Sequence, residues 1–162
     1  MVSKGEILIR EGQTVNKSFF VTQGCLRSFC IDKEGKEHTL QFAIKDWWIS
    51  DFIAIYNNEP ASLTVECISD SAVIEFNAQK LNDIFLQFPE FEPFQRKNLE
   101  RHVVSLYKRI LNQLQLTALE RYNLFLDQYP DIEQHVPNYH IAYYLGITQQ
   151  SLSRVRAEKA KK

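Results

Sequence analysis

The stretch PNYHIAYYLGITQQSLSRVR (137–156) decides the reading of this chain. It divides into two short helices around a tight turn. Ile141, Ala142 and Leu145 fall at helical spacing and give the first helix an apolar face. Gly146 can take positive φ without steric strain and ends that helix. Thr148 is a good N-cap for the second helix, with Ser151 three residues on. Leu152 and Val155 form its buried stripe, and Gln149, Gln150, Ser153, Arg154 and Arg156 cover the rest. A small residue in the first helix, a glycine turn and a Gln/Ser/Arg-rich second helix are what a DNA-reading helix-turn-helix needs. The other reading is a plain helical hairpin whose Gln and Arg serve solubility, since short motifs produce chance matches.

Working back from this stretch, Thr117 caps a helix through Gln128, and Tyr129-Pro130-Asp131 makes the turn that leads into the pair. From about Glu92 to Leu114 the period is helical throughout. Leu99, Val103, Leu106, Ile110 and Leu114 step by three and four, an apolar stripe suited to a dimer seam. The same stripe would also suit a helix packed on its own domain. Pro89 ends a shorter helix predicted from an Asn77 cap to Gln87.

Upstream of Asn77 the pattern is different. Short apolar runs alternate with turn residues: 4–12, two strands within 18–32 joined near Gly24, the hairpin turn Asp32-Lys33-Glu34-Gly35, then 36–44, 62–67 and 72–76. In 36–44 the alternation sets His38, Leu40, Phe42 and Ile44 on one face and Glu37, Thr39 and Gln41 on the other. Seven or eight such strands suggest a sandwich or barrel, with a jelly roll as the natural candidate.

The formal net charge is -1, which excludes a uniformly basic nucleic-acid binder. The balance is local: from Pro137 onward Arg154, Arg156, Lys159, Lys161 and Lys162 face only Glu158. Cys25, Cys30 and Cys67 form no CxxC pair and read as reduced, buried thiols of a cytoplasmic protein. No apolar run is long enough to span a membrane. There is no phosphate-cradling glycine loop, HExxH or nucleophile elbow, and His38 is the only histidine of the β region, so neither an enzyme nor a metal site is expected.

A β-roll, a long amphipathic helix and a C-terminal helix-turn-helix, in that order, resemble the Crp/Fnr family of bacterial transcription regulators. The residues that carry the likeness are KGEILIREG (4–12), FVTQGCLR (20–27), WWISD (47–51) and the pair at 137–156, the last similar to the form found in the Bacteroidetes group. The resemblance implies an α+β chain in three parts. These are an N-terminal antiparallel jelly roll of the cyclic-nucleotide-binding type (1–90), a long dimerisation helix (91–115) and a helix-turn-helix domain (116–162). It further implies a homodimer pairing on Leu99, Val103, Leu106, Ile110 and Leu114 and binding a palindromic DNA operator. Thr148, Gln149, Gln150, Ser151 and Arg154 would then meet the major groove, Arg156 and Lys159 the phosphates. Tyr139 and His140 are further candidates for backbone contact, and RNA polymerase is a further candidate partner. The short start and end of the chain fit either a compact member or a piece of a longer one.

Cyclic-nucleotide sensors of that family carry a Gly-Glu pair on a short helix, for the ribose hydroxyl, and then an Arg-Ser/Thr pair for the cyclic phosphate. At the matching places this chain has Ser50-Asp51 and Ala61-Ser62-Leu63-Thr64. Ser50, Asp51, Ser62, Leu63 and Thr64 are therefore the candidate effector pocket. Asp51 is able to accept a hydroxyl, Trp47, Trp48 and Tyr56 add bulk, and nothing corresponds to the phosphate-binding arginine. Burying a phosphate without a cation is unfavourable. Cyclic AMP is thus not expected, and an unknown small-molecule effector, an apolar one, or none remains. No cofactor is expected: the cysteines lack the clustering of the family's iron-sulfur sensors, and no histidine stands out as a haem ligand. The alternative function is a ligand-binding or protein-interaction module whose helical C-terminus does not read DNA.

Overall fold

The computed structural model describes residues 1–161. Seven strands come first: β1 (Ile7–Ile9), β2 (Lys17–Gln23), β3 (Leu26–Ile31), β4 (Glu37–Ala43), β5 (Trp48–Ile49), β6 (Thr64–Cys67) and β7 (Ala72–Asn77). They form two antiparallel sheets, of order β1-β6-β3-β4 and β5-β2-β7. Ile9, Leu26, Ala43, Val65 and Cys67 from the first sheet and Phe19, Val21 and Ile49 from the second make one buried cluster between them. Gly24, at φ +89° between β2 and β3, lies so close to Ser71 and the Asp70 carbonyl that a Cβ would collide with both. The turn at 69–71 therefore seats directly on the β2–β3 turn.

β4 departs from the simple alternation. The pairing of Ser28 with Gln41 is followed by Phe29 with Thr39, so Leu40 is an extra residue in the ladder. One inserted residue exchanges the faces of a strand. Leu40 is exposed and Thr39 and Gln41 are buried, while Phe42 and, beyond the strand, Ile44 keep their expected places against the core.

Six helices follow or interrupt the strands: α1 (Phe52–Asn57), α2 (Leu81–Gln87), α3 (Phe91–Gln115), α4 (Ala118–Gln128), α5 (Asn138–Leu145) and α6 (Gln149–Lys159). α2 does not start at Asn77, which ends β7; a 3-10 turn (Ala78–Lys80) intervenes. Pro89 separates α2 from α3, and Phe91 stacks on Phe76, Phe85 and Phe94 at the junction. α4 opens with a capping box, Thr117 with Glu120.

The outer face of the larger sheet is covered by the helices. Phe42, Cys25 and Ile68 share a buried cluster with Tyr122, Phe125 and Tyr129 and with Ile141, Ala142, Tyr144 and Leu145 of α5. Burial pushes the Cys25 thiol up to about 12 and that of Cys67 up to about 11, so both act as small hydrophobes. Where α5 meets β3, β4 and β6, the buried Arg27 bridges Glu37 and Glu66. His140 sits over this pair, 3.9 Å from Glu37 and 3.8 Å from Glu66. Burial, and then the charge of Arg27, hold its pKa down at about 3. Both carboxylates pull the other way, but they are already committed to Arg27. His140 is therefore a neutral interior residue, not the DNA-backbone contact suggested by its position early in α5.

Candidate nucleic-acid interface

α5 and α6 are set against each other by local chemistry. Gly146, at φ +68°, terminates α5 and donates its N–H back to the α5 carbonyls. Thr148 caps α6 by accepting from Ser151 N–H at 3.1 Å, and its own hydroxyl donates to Ser151 Oγ at 3.0 Å. Leu152 and Val155 are buried in the cluster that also holds Tyr122 and Phe125. This fixes which face of α6 looks outward.

That face carries Gln149, Gln150, Ser153 and Arg154, all exposed; Lys159, also exposed, falls on the side of Leu152 and Val155 at the end of the helix. Arg154 makes no ion pair among the described residues, so its fork of donors is open. Thr148, Gln149, Gln150 and Ser153 line a cleft of about 560 Å³ with Tyr143, Ile147 and Lys36, the last from the β3–β4 hairpin. Lys159 lies over the Tyr122 ring with its Nζ 5.5 Å from the centroid.

Arg156 is different. Its Nε donates to Glu133 at 2.9 Å and to the Tyr122 hydroxyl at 3.2 Å; Nη2 also reaches Glu133, and Nη1 donates to Asn138 at 2.7 Å. The expected phosphate contact is corrected to an internal one: Arg156 ties α6 to α4, α5 and the 3-10 turn Ile132–Gln134. Sequence spacing put Arg156 on the polar side of the helix, but the partner that claims it lies twenty-three residues away.

The apolar stripe of α3 splits. Leu99, Val103, Ile110 and Leu114 are exposed, Leu114 most at 78%. Val104, Tyr107 and Leu111 widen this open face. Leu106 instead turns toward the sandwich, into a cavity of about 440 Å³ bounded by Phe52, Ile53, Leu63 and Ser50.

The candidate effector residues divide along the same line. Ser50 and Leu63 line that cavity; Asp51, Ser62 and Thr64 do not. Asp51 is fully buried and faces inward, its carboxylate accepting from Ala54 N at 3.0 Å, Ser62 N at 2.7 Å, Ser62 Oγ at 3.1 Å and Leu63 N at 2.9 Å. It caps α1 and fastens it to the segment before β6, and its full burial keeps it from a ligand hydroxyl. Thr64 Oγ1 instead accepts from Glu11 N. Trp47 and Trp48 are also not pocket walls: Trp48 packs between Phe20 and Phe76, and Trp47 on Tyr129. Tyr56 stacks on Phe52 and is exposed. Sequence reasoning missed Arg109, which enters the cavity wall from α3. Its place off the α3 stripe resembled that of any solvated surface arginine.

Residues 1–88 match the family model of the cyclic nucleotide-binding domain. The transcriptional activator protein FnrA of Stutzerimonas stutzeri is 22% identical, the match covering 95% of this chain and 67% of that protein. Among solved structures, a CooA mutant from Carboxydothermus hydrogenoformans superposes with a TM-score of 0.77 at 22% identity, over 99% of this chain and 74% of that one. FixK2 from Bradyrhizobium japonicum gives 0.80 at 18% identity, over 98% and 82%. The structural likenesses show the fold, and the curated relatives are transcription regulators rather than enzymes. With its matched region covering more than half of its length, the chain belongs to the cyclic nucleotide-binding domain family, among the regulators of the Crp/Fnr type.

Proposed function

We propose that the chain is a DNA-binding transcription regulator of the cytoplasm that works as a homodimer on a palindromic operator. In this reading the two sheets form the jelly-roll sensor, α3 pairs with its copy, and α5–α6 is the helix-turn-helix. Pairing on Leu99, Val103, Ile110 and Leu114 would set two copies of α6 one turn of DNA apart, roughly 34 Å. Gln149, Gln150 and Arg154 would meet base edges; Gln suits adenine and Arg suits guanine, each good bidentate pair contributing about 1–3 kcal/mol. Lys159 would meet phosphate. The observation that carries this is the outward face of α6, with Arg154 exposed and free of an ion pair among the described residues. The test is selection of duplexes from random DNA by gel shift with the purified chain. A two-fold symmetric motif is expected, and Arg154→Ala should weaken binding and relax the preference at one base pair in each half-site. Recovery of no motif would favour a module that binds a ligand or protein and does not read DNA.

A further inference from the structure

The cleft beside the first turn of α6 is built from both parts of the chain. Thr148, Gln149, Gln150 and Ser153 line it from the helix pair, and Lys36 lines it from the hairpin that joins β3 to β4. Lys36 is the one charged residue of this lining, which holds no carboxylate. It is exposed and makes no ion pair among the described residues. Lys33, on the same turn, does not line the cleft.

The hairpin fixes the backbone of Lys36. Its N–H donates to the Asp32 carboxylate at 3.0 Å, and its carbonyl accepts from Asp32 N–H at 2.9 Å. The same carboxylate accepts from Glu34 N–H at 3.0 Å and lies 2.6 Å from His38 Nε2. The next residue, Glu37, pairs with the buried Arg27 at 2.7 Å, with His140 of α5 over the pair. α5 is itself packed on Phe42 of β4 through Ile141, Ala142, Tyr144 and Leu145. Hairpin and helix pair therefore hold one another at the edge of the cleft, and the Lys36 side chain alone is free to reach outward.

An α-helix with its side chains is about 10–12 Å across and the major groove about 12 Å wide, so a helix lying in that groove has a phosphate strand along each flank. In the reading proposed above, Gln149, Gln150 and Arg154 enter the groove. Gln149 and Gln150 also line the cleft, so the strand on that flank runs between α6 and the hairpin. We propose that the β3–β4 hairpin of the sandwich is part of the DNA interface, the cleft taking the sugar-phosphate backbone and Lys36 Nζ neutralising one phosphate in each half-site. This rests on the DNA-reading assignment of α6 and extends it to the sandwich. A phosphate contact positions the protein and selects no base. It also makes the DNA a bridge between the two parts of the chain: a helix pair that swung away from β4 would lose this phosphate and keep its base contacts.

The experiment uses the full chain and the duplex that it selects from random DNA. Lys36→Ala should make the plot of log affinity against log salt shallower by about 0.9 for each half-site occupied, with base preference and melting temperature unchanged. Lys36→Arg should keep the wild-type slope. Phosphate ethylation interference should show one phosphate in each half-site that matters to the wild-type chain and not to Lys36→Ala. If the wild-type chain selects no motif, the DNA-reading assignment and this proposal fall together. With a motif in hand, an unchanged slope in Lys36→Ala, or an altered base preference, overturns this proposal and leaves the assignment of α6 standing. A slope that falls with no single phosphate dropping out would mark a diffuse charge effect and would overturn it equally.

Discussion

Replacing Asp51 by alanine tests whether this buried carboxylate is a fastener or a ligand contact. The substitution removes an acceptor from four donors: the amides of Ala54, Ser62 and Leu63 and the Ser62 hydroxyl. The hydroxyl can rotate to another partner; the three amides cannot. Ala54 and Leu63 are buried, at 2% and 8% exposure, and a buried donor left unsatisfied costs about 1–3 kcal/mol. Part of the Ala54 loss is the N-cap of α1 itself, worth about 1 kcal/mol. Against this, removing the carboxylate recovers the desolvation cost of a buried charge, and water can enter the small space left behind. The net is a destabilisation of about 2–4 kcal/mol, a large share of a typical 5–15 kcal/mol. With a urea slope of about 1–3 kcal/mol per molar, the unfolding midpoint should fall by about 1–2 M at unchanged slope. Ser62→Ala, which removes only the rotatable donor, should cost less than about 1 kcal/mol. A midpoint that moves by less than about 0.3 M in Asp51→Ala would refute the reasoning and return Asp51 to the list of groups available to an effector.

Val103→Asp sets a carboxylate against its own copy across the proposed two-fold, a juxtaposition that costs several kcal/mol, so light scattering should record a monomer with unchanged helicity. A mass that stays dimeric would put the seam elsewhere. His140 is held near a pKa of 3 in the fold and returns to about 6.5 on unfolding, so the unfolded chain takes up this proton first. Its contribution to stability is complete above pH 6.5 and is lost as pH falls toward 3, with a slope of up to about 1.4 kcal/mol per pH unit. His140→Gln should flatten the acid limb of urea midpoints against pH, and superimposable curves would sink the assignment. Arg156→Ala should lower stability by about 1–2 kcal/mol, discounted for its partial exposure, and leave the salt slope of DNA binding alone. Lys159→Ala should instead reduce that slope by about 1 at little change in melting temperature. Exchanged outcomes would exchange the two roles.

Local chemistry made much of the fold legible in the sequence. Gly35 and Gly146 mark turns, Pro89 breaks a helix, Thr117 and Thr148 cap their helices, and the observed positions follow within a few residues. Register was less legible. The extra residue Leu40 exchanges the faces of β4, and nothing in a run of alternating residues announces a bulge, because the bulge is a property of the pair and not of the strand. Partners distant in sequence were not legible at all. Arg27 meets Glu66 thirty-nine residues on, Arg109 meets Thr39 seventy residues back, and Asp51 meets Ser62 and Leu63 across the whole of α1.

This failure has one form, and it bears on the site. In a sequence, an arginine on the polar side of a helix is equally a fastener between elements or a hand held out to a ligand; spacing alone does not separate them. What separates them is whether the fold already pairs the charge with a carboxylate. Arg156 gives its Nε and both terminal nitrogens to Glu133, Tyr122 and Asn138, and belongs to the scaffold. Arg109 also gives three hydrogens, but to the carbonyls of Leu40, Thr39 and Tyr144, so it fastens α3 to β4 and α5 without a carboxylate partner among the described residues. Arg154 makes no ion pair among the described residues and stands exposed on α6, which leaves its whole fork for a partner outside the chain. Burial with four internal donors likewise moves Asp51 out of the effector pocket that its place in the sequence suggested. Asking whether the fold pairs each arginine's charge thus separates structure from function, and it predicts that neutralising Arg154 will disturb DNA binding most and folding least.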